Sequence, residues 1–293
     1  MRSLLLAAVA IVGCGRQPVS AVKRPTNVRQ PGAFRSAPVL ESSAATPSRA
    51  HPGLFWTLND SGNPADLFLV DTAGTVHGFV RLPVRNIDWE AMTSGPCGDS
   101  RWCLYVADIG DNRAVRPSVV IYRLPEPDDS ALARQTDRPM DSLVVRYTDG
   151  AHDAESLVAT GAGDLAIISK GRQGPVAAYW IPKDAWRAGR IETRPFWDLP
   201  IPTSFLLATL VTDAALSPDD QWLAVRTYRE IHLFKRANPT DRLPNQLVAT
   251  CDVAGLEPLG EAITWWQGHT LLLTSEIDGR NPGPVTLLEC PVN

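Results

Sequence analysis

A short acid-bearing segment recurs along the chain, and each copy is followed by a strongly apolar run. The copies are Asp88-Trp89-Glu90-Ala91-Met92, Asp153-Ala154-Glu155-Ser156-Leu157, Thr212-Asp213-Ala214-Ala215-Leu216 and Gly260-Glu261-Ala262-Ile263-Thr264, with a fainter one at Leu40-Glu41-Ser42-Ser43-Ala44. With the acid as register mark, Glu41, Glu90, Glu155, Asp213 and Glu261 are separated by 49, 65, 58 and 48 residues. The apolar runs are Leu54-Phe55-Trp56, Leu104-Tyr105-Val106, Leu165-Ala166-Ile167-Ile168, Trp222-Leu223-Ala224-Val225 and Leu271-Leu272-Leu273, bounded by Gly, Pro, Asp and Asn. Runs this short between turn formers read as strands. No long amphipathic helix is apparent; Lys183 to Gly189 has room for a turn or two. A unit near 50 residues that holds several strands is the mark of a propeller blade, because one small sheet cannot bury its own faces and a ring of them can. The expected fold is therefore all-β, a β-propeller with five blades favoured and six as the alternative if one blade lacks its marker acid. The last unit is short by one strand, since only Val285 to Cys290 follows its second. The N-terminal segment is expected to supply that strand and close the ring, which removes exposed edges. An open β-sandwich of the same strand count would require no such repeat.

The first residues are Met1-Arg2-Ser3 and then an uncharged apolar stretch from Leu4 to Val12. A basic residue before a short apolar run has the form of a secretory signal, and the run is shorter than the roughly 20 residues that cross a bilayer. It ends in Ile11-Val12-Gly13-Cys14, which resembles the lipobox of bacterial lipoproteins. That resemblance implies cleavage before Cys14 and acylation of its sulfur and new amino terminus. The bland alternative is a signal peptide with an incidental cysteine. The expected division is a signal peptide at 1–13, a lipidated Cys14 with a flexible tether at 14–37, and the propeller at 38–293. The stretch to Ala37 is rich in Pro, Arg, Gln and Ser and poor in large apolar residues, a composition that cannot bury a core. Its basic residues, Arg16, Lys23, Arg24, Arg29 and Arg35, either lie against anionic headgroups or are solvated. The expected location is the cell envelope, with the lipid in the outer membrane rather than the inner because Gly15 follows Cys14 where an Asp would favour retention. Removing Cys14 from the five cysteines leaves four, an even number suited to an oxidising compartment. Connectivity is open from sequence; Cys97 with Cys103 and Cys251 with Cys290 are the simplest pairs.

A net charge of −4 leaves no electrostatic footprint for nucleic acid, and a monomer is expected. In a propeller the innermost strands surround a channel, so Glu90, Glu155, Asp213 and Glu261, with Glu41, are expected to ring the axis. A second series after the apolar strands, Asn59-Asp60, Asp108, Lys170, Arg226 and Glu276, should crown the same face. Converging carboxylates raise one another's pKa unless something neutralises them. Lys170 and Arg226 could do so, or water in a wide channel, or a bound cation. Oxygen-only ligands (Glu90, Glu155, Asp213, Glu261 and Asp108) suit Ca²⁺, and no His-Glu-x-x-His pair or Cys-x-x-Cys suggests zinc. Asp60, Lys170, Arg226 and Glu276 are the candidates for ligand contact. Glu90, Glu155 and His152 (beside Asp153) are the candidates for acid–base chemistry; a lone loop histidine is more often a surface hydrogen-bonder. No Gly-x-Ser-x-Gly elbow, P-loop or dinucleotide fingerprint is present.

Leu58-Asn59-Asp60-Ser61-Gly62, Asp88-Trp89-Glu90, Asp108-Ile109-Gly110-Asp111-Asn112 with Tyr122-Arg123-Leu124-Pro125-Glu126-Pro127, and Asp153-Ala154-Glu155 resemble phrases of uncharacterised secreted bacterial propeller proteins. More distantly, the acid-marked strands are similar to those of calcium-dependent apyrases and alkaline phytases, which implies an axial Ca²⁺ site that hydrolyses phosphoesters. A polyphosphate site should carry several cations, and here Lys170 and Arg226 alone sit at suitable places, with Arg113 and Arg172 in adjoining loops. Two readings follow: a module that binds a small-molecule or protein partner, and a Ca²⁺-dependent phosphoester hydrolase.

Overall fold

The chain's first strand, β1 (Thr26–Phe34), pairs with its last, and this pairing completes a ring of five sheets. The computed structural model describes residues 21–98, 101–132, 140–204 and 206–292; the expected signal segment and Cys14 lie outside them. Blade 1 comprises β2 (Ser42–Pro47), β3 (Leu54–Asn59), β4 (Asp66–Asp71) and β5 (Val76–Arg81). Blade 2 comprises β6 (Trp89–Pro96), β7 (Trp102–Asp108), β8 (Val119–Pro125) and β9 (Asp141–Tyr147), with a short helix α1 (Asp129–Leu132) between the last two. Blade 3 holds β10 (Ala154–Ala159), β11 (Leu165–Ser169) and β12 (Ala177–Ile181). A 3₁₀ turn at Lys183–Arg187 then leads into β13 (Arg190–Thr193), which leaves blade 3 and adds to the outer edge of blade 2, parallel to β9. The chain returns to blade 3 as β14 (Pro195–Asp198). Blade 4 is β15 (Val211–Leu216), β16 (Trp222–Thr227), β17 (Glu230–Lys235) and β18 (Gln246–Asp252). Blade 5 is β19 (Gly260–Gln267), β20 (Thr270–Ser275) and β21 (Gly283–Glu289), with β1 as its outermost strand.

Five blades and N-terminal closure are thus as expected. The closing strand begins at Thr26, so residues 26–34 belong to the ring although their composition is that of a tether. Two hydrogen bonds fix the chain even earlier: Lys23 N–H donates to Thr250 O (2.8 Å), and Asp252 N–H donates to Lys23 O (2.8 Å). The domain boundary lies well before Pro38.

The two inner strands of each blade are largely buried without alternation because the sheet is covered there on both faces, whereas the outer strand β9 alternates. The buried side chains fall into five clusters, one between each pair of neighbouring blades. Trp56, Trp89 and Leu104 fill the gap between blades 1 and 2, and Tyr105, Ile121 and Tyr179 that between blades 2 and 3. Phe55, Phe68 and Leu272 join blade 5 to blade 1, where the ring closes. Among the described residues, each inner hairpin has a residue in the left-handed region. These are Gly53 (φ 87°), Gly98 (φ 91°), Gly163 (φ 87°), Asp220 (φ 58°) and Gly268 (φ 56°). Gly reaches that region without strain, and Asp tolerates it. Both disulfides form: Cys97–Cys103 closes the inner hairpin of blade 2, and Cys251–Cys290 joins blade 4 to blade 5.

Candidate functional site

The five innermost strands β2, β6, β10, β15 and β19 pack side by side around the axis. Each carries a bulge near its start, at the end of the channel that we call the upper mouth. The ladder skips Ser43 between Ser42↔Asn59 and Ala44↔Leu58, Glu90 between Trp89↔Asp108 and Ala91↔Ala107, and Glu155 between Ala154↔Ser169 and Ser156↔Ile168. The same skip falls at Thr212 in blade 4 and at Glu261-Ala262 in blade 5. A bulge re-aims a side chain that pleating would send into the sheet. The recurrent channel position is therefore Ser43, Glu90, Glu155, Thr212 and Glu261. Where it is a hydroxyl residue it reaches across to the neighbouring acid's main chain: Thr212 Oγ1 donates to Glu261 O (2.8 Å) and Ser43 Oγ to Glu90 O (3.5 Å).

One residue beyond the partner strand's first ladder position comes a second series: Asp60, Ile109, Lys170, Tyr228 and Glu276. The two series share one electrostatic environment. Lys170 Nζ forms a buried ion pair with Glu155. Tyr228 hydrogen-bonds Glu261, and burial together with that carboxylate raises its pKa. Burial pushes the Glu155 carboxyl up to about 7 although Lys170 opposes the shift. For Lys170 burial acts downward, and Glu155, Tyr228 and Glu90 together outweigh it and hold the ammonium charged. Burial, then Glu155, raises Glu261 well above the usual carboxylate range. Glu276 is lifted to about 7 by burial and by Asp60 and Glu41.

The tightest grouping lies between blades 1 and 2. One carboxylate oxygen each from Asp60, Asp88 and Glu90 lies within 4.8 Å of the others. Burial raises the pKa of all three; Glu41 and Asp60 add to the effect on Asp60 and Asp88 respectively, and Glu155 and Asp60 to that on Glu90. Gly110 borders the group: a Cβ there would stand 2.5 Å from Glu90 Oε1 and 2.6 Å from Asp88 Cγ. Asn86 fixes the loop that carries Asp88, donating to Asp60 O (2.8 Å) and accepting from Trp89 N–H (3.0 Å). Three desolvated carboxylates at this separation repel, and a divalent cation with oxygen ligands would relieve them.

The other expected site residues have different surroundings. Asp108 is fully buried and accepts from Arg116 (2.7 Å), whose second nitrogen donates to Gly110 O. Asp213 follows the bulge, and its carboxylate turns toward blade 5 to accept from Ile263 N–H (2.9 Å), its other oxygen taking Ala214 N–H (2.7 Å). Arg226 is buried between blades 4 and 5, paired with Glu257 and donating to Ala262 O (2.7 Å) and Thr274 O (3.2 Å). His152 stands 3.1 Å from Asp149 and packs on the rings of Tyr147 and Tyr179, beside a cavity of about 230 Å³. Asp88 and Tyr228 were missed. Asp88 sits two residues before a marker acid, and Tyr228 occupies the same place as Lys170 once the blades are aligned by ladder.

The lower mouth is unlike the upper. Its cavity of about 330 Å³ is lined mainly by uncharged side chains, among them Thr46, Met92, Ser94, Ile263 and Trp265. Arg49 at its rim lies over the Trp102 ring at 4.7 Å.

No family model matches the sequence, and no curated protein matches it. Among solved structures, the PQQ-bound form of an aldose sugar dehydrogenase from Streptomyces coelicolor is similar, with a TM-score of 0.53. The match covers 89% of this chain and 97% of that one at 10% identity. The likeness is one of fold. The chain is a β-propeller, an architecture that serves binding and catalysis alike.

Proposed function

We propose that the protein is an envelope lipoprotein, anchored by a lipid on Cys14, whose upper mouth binds Ca²⁺ and through it a soluble ligand or protein partner. The observation that carries the metal is the Asp60–Asp88–Glu90 group, with three carboxylate oxygens within 4.8 Å of one another. Asp60 and Asp88 are half-buried and Glu90 is buried, so a cation held there keeps open coordination positions toward the mouth. Cysteine usage supports the anchor: two disulfides use four of the five cysteines and leave Cys14 over.

The binding reading is favoured over phosphoester hydrolysis by the charge of the mouth. Lys170 is its cation, and it is committed to Glu155; Arg226, the other expected phosphate contact, is buried between blades 4 and 5. The same charge argues against PQQ, the cofactor of the structural neighbour. PQQ is a tricarboxylate, and it would meet Asp60, Glu90, Glu261 and Glu276 with one paired lysine between them. The donor set does not fit it.

The test is thermal melting of the chain from Gly15, which retains the closing strand, in Ca²⁺ and in chelator. At a hundredfold excess over Kd the gain should be about 2.7 kcal/mol. Glu90→Gln and Asp88→Asn should abolish the shift. An equal melting temperature in both conditions would sink the metal site. Release of phosphate from nucleotide or inositol phosphates by the wild type, lost in Glu90→Gln, would replace binding with hydrolysis.

A further inference from the structure

Charge is segregated along this chain. Residues 1–40 contain six of the 28 Lys and Arg residues and none of the 32 Asp and Glu, which leaves 22 basic against 32 acidic residues from Glu41 onward. The fold places part of the basic segment on the rim of an otherwise acidic disc. Arg24, Arg29 and Arg35 are exposed along or beside β1, the outermost strand of blade 5. Among the described residues, none of the three has an ion-pair partner. Val22 and Val28, 51% and 40% exposed, stand among them. The same segment is strapped to the outermost strand of blade 4 through Lys23, so residue 21 leaves the disc at the perimeter between blades 4 and 5 and at neither mouth.

We infer that this rim, the closing strand and its approach, is a docking surface for an anionic phospholipid bilayer. The occupant follows from position and charge. Eight residues (15–22) separate Cys14 from Lys23, a span of at most about 30 Å even when fully extended. The remainder of the disc is net negative and is repelled by anionic headgroups; the rim carries uncompensated arginines and two exposed valines that suit an interface. Docking there stands the disc on edge. Both mouths then open sideways, and the upper one stays accessible to a ligand. The location draws on the proposed lipid anchor, but the surface itself is testable without it.

The chain from Gly15 lacks the lipidated cysteine and keeps every strand of the ring. It should co-sediment at low salt with vesicles of phosphatidylcholine and phosphatidylglycerol, and not with phosphatidylcholine alone. Binding should fall steeply with added salt. Each basic residue at such a surface is worth about fivefold, so Arg24→Gln, Arg29→Gln and Arg35→Gln combined should weaken binding about 100-fold with the melting temperature unchanged. Arg146→Gln with Arg190→Gln, on the rim of blade 2, should leave it intact. Absence of binding by the wild type, equal binding to neutral vesicles, or a triple variant that binds like the wild type overturns the proposal. So does binding indifferent to salt, a criterion that stands even where a variant fails to fold. Anchoring is read separately, from acylation of the full chain and its loss in Cys14→Ser, and neither outcome alters the vesicle result.

Discussion

Arg226 illustrates how a charged residue in a propeller can serve the ring instead of the channel. Its strand position next to the axis suggested a ligand contact, yet the side chain runs into the gap between blades 4 and 5. There it meets Glu257, both side chains being 2% exposed, and it donates to carbonyls of two blade-5 strands. Gly260 makes room for it, since a Cβ at that position would collide with the guanidinium. Burial raises the Glu257 pKa, and Arg226 opposes the rise. Taking one partner from a buried pair strands the other charge, at a cost of about 3–5 kcal/mol. Glu257→Gln is therefore expected to lower stability by that amount in urea unfolding, with the axial site's Ca²⁺ response retained. A loss under about 1 kcal/mol, the scale of a surface pair, would mean that water reaches the pair and that it does not clasp the blades.

At the scale of elements, the strands were legible and the register was not. Sheets covered on both faces give continuous apolar runs such as Leu165 to Ile168, and these stand out in any sequence. Bulges leave no such trace. Lining up acids by type put Glu41 and Asp213 in the channel series and Asp108 in the second, whereas the ladders put Ser43 and Thr212 in the first and Ile109 in the second. Asp60, Lys170 and Glu276 do occupy the recurrent second position, because in those blades the residue after the first ladder pair is charged. β1 was legible only as a missing partner. As an edge strand it is mostly exposed, with Phe34 its one fully buried residue, so its composition is that of a tether even though its backbone closes the ring. That closure is reinforced by Cys251–Cys290, which spans 39 residues and links the same two blades that the Lys23 strap crosses. A loop of that size is worth about 4 kcal/mol in the chain-entropy account. Cys251→Ser with Cys290→Ser should cost about 2–4 kcal/mol in chemical unfolding. Removal of residues up to 35 should do more, because it bares the β21 edge and invites intermolecular pairing, visible as loss of the monomer in size-exclusion chromatography. A truncated chain that remains monomeric and melts like the intact one would show that blade 5 holds without its fourth strand.

Over the whole molecule, the ring gathers at one mouth carboxylates that come from blades far apart in sequence, and the consequence is a collective pH response. Glu155 and Glu276 are raised to about 7 and Glu90 and Glu261 well above their ordinary value, in each case by burial first with neighbouring acids adding to it, while Lys170 opposes the shift. A carboxyl whose pKa is higher folded than unfolded binds its proton more tightly in the native state. The stability this contributes is complete below the unfolded value near 4.5 and is lost as pH rises through the folded value. For Glu155 and Glu276 that window runs from about 4.5 to about 7. Melted in chelator, the protein should therefore lose stability across mildly acidic to neutral pH, contrary to a protein stabilised by ionised salt-bridged carboxylates. Calcium should reverse the trend, since it takes the place of the protons: the gap between Ca²⁺ and chelator curves should be small near pH 5 and widest above pH 7. Glu276→Gln should flatten the chelator curve, because the amide is neutral at every pH, while Asp88→Asn should close the gap between the curves. A chelator profile that rises with pH would mean that the mouth is already neutralised within the chain, with Lys170 sufficient for the acids around it.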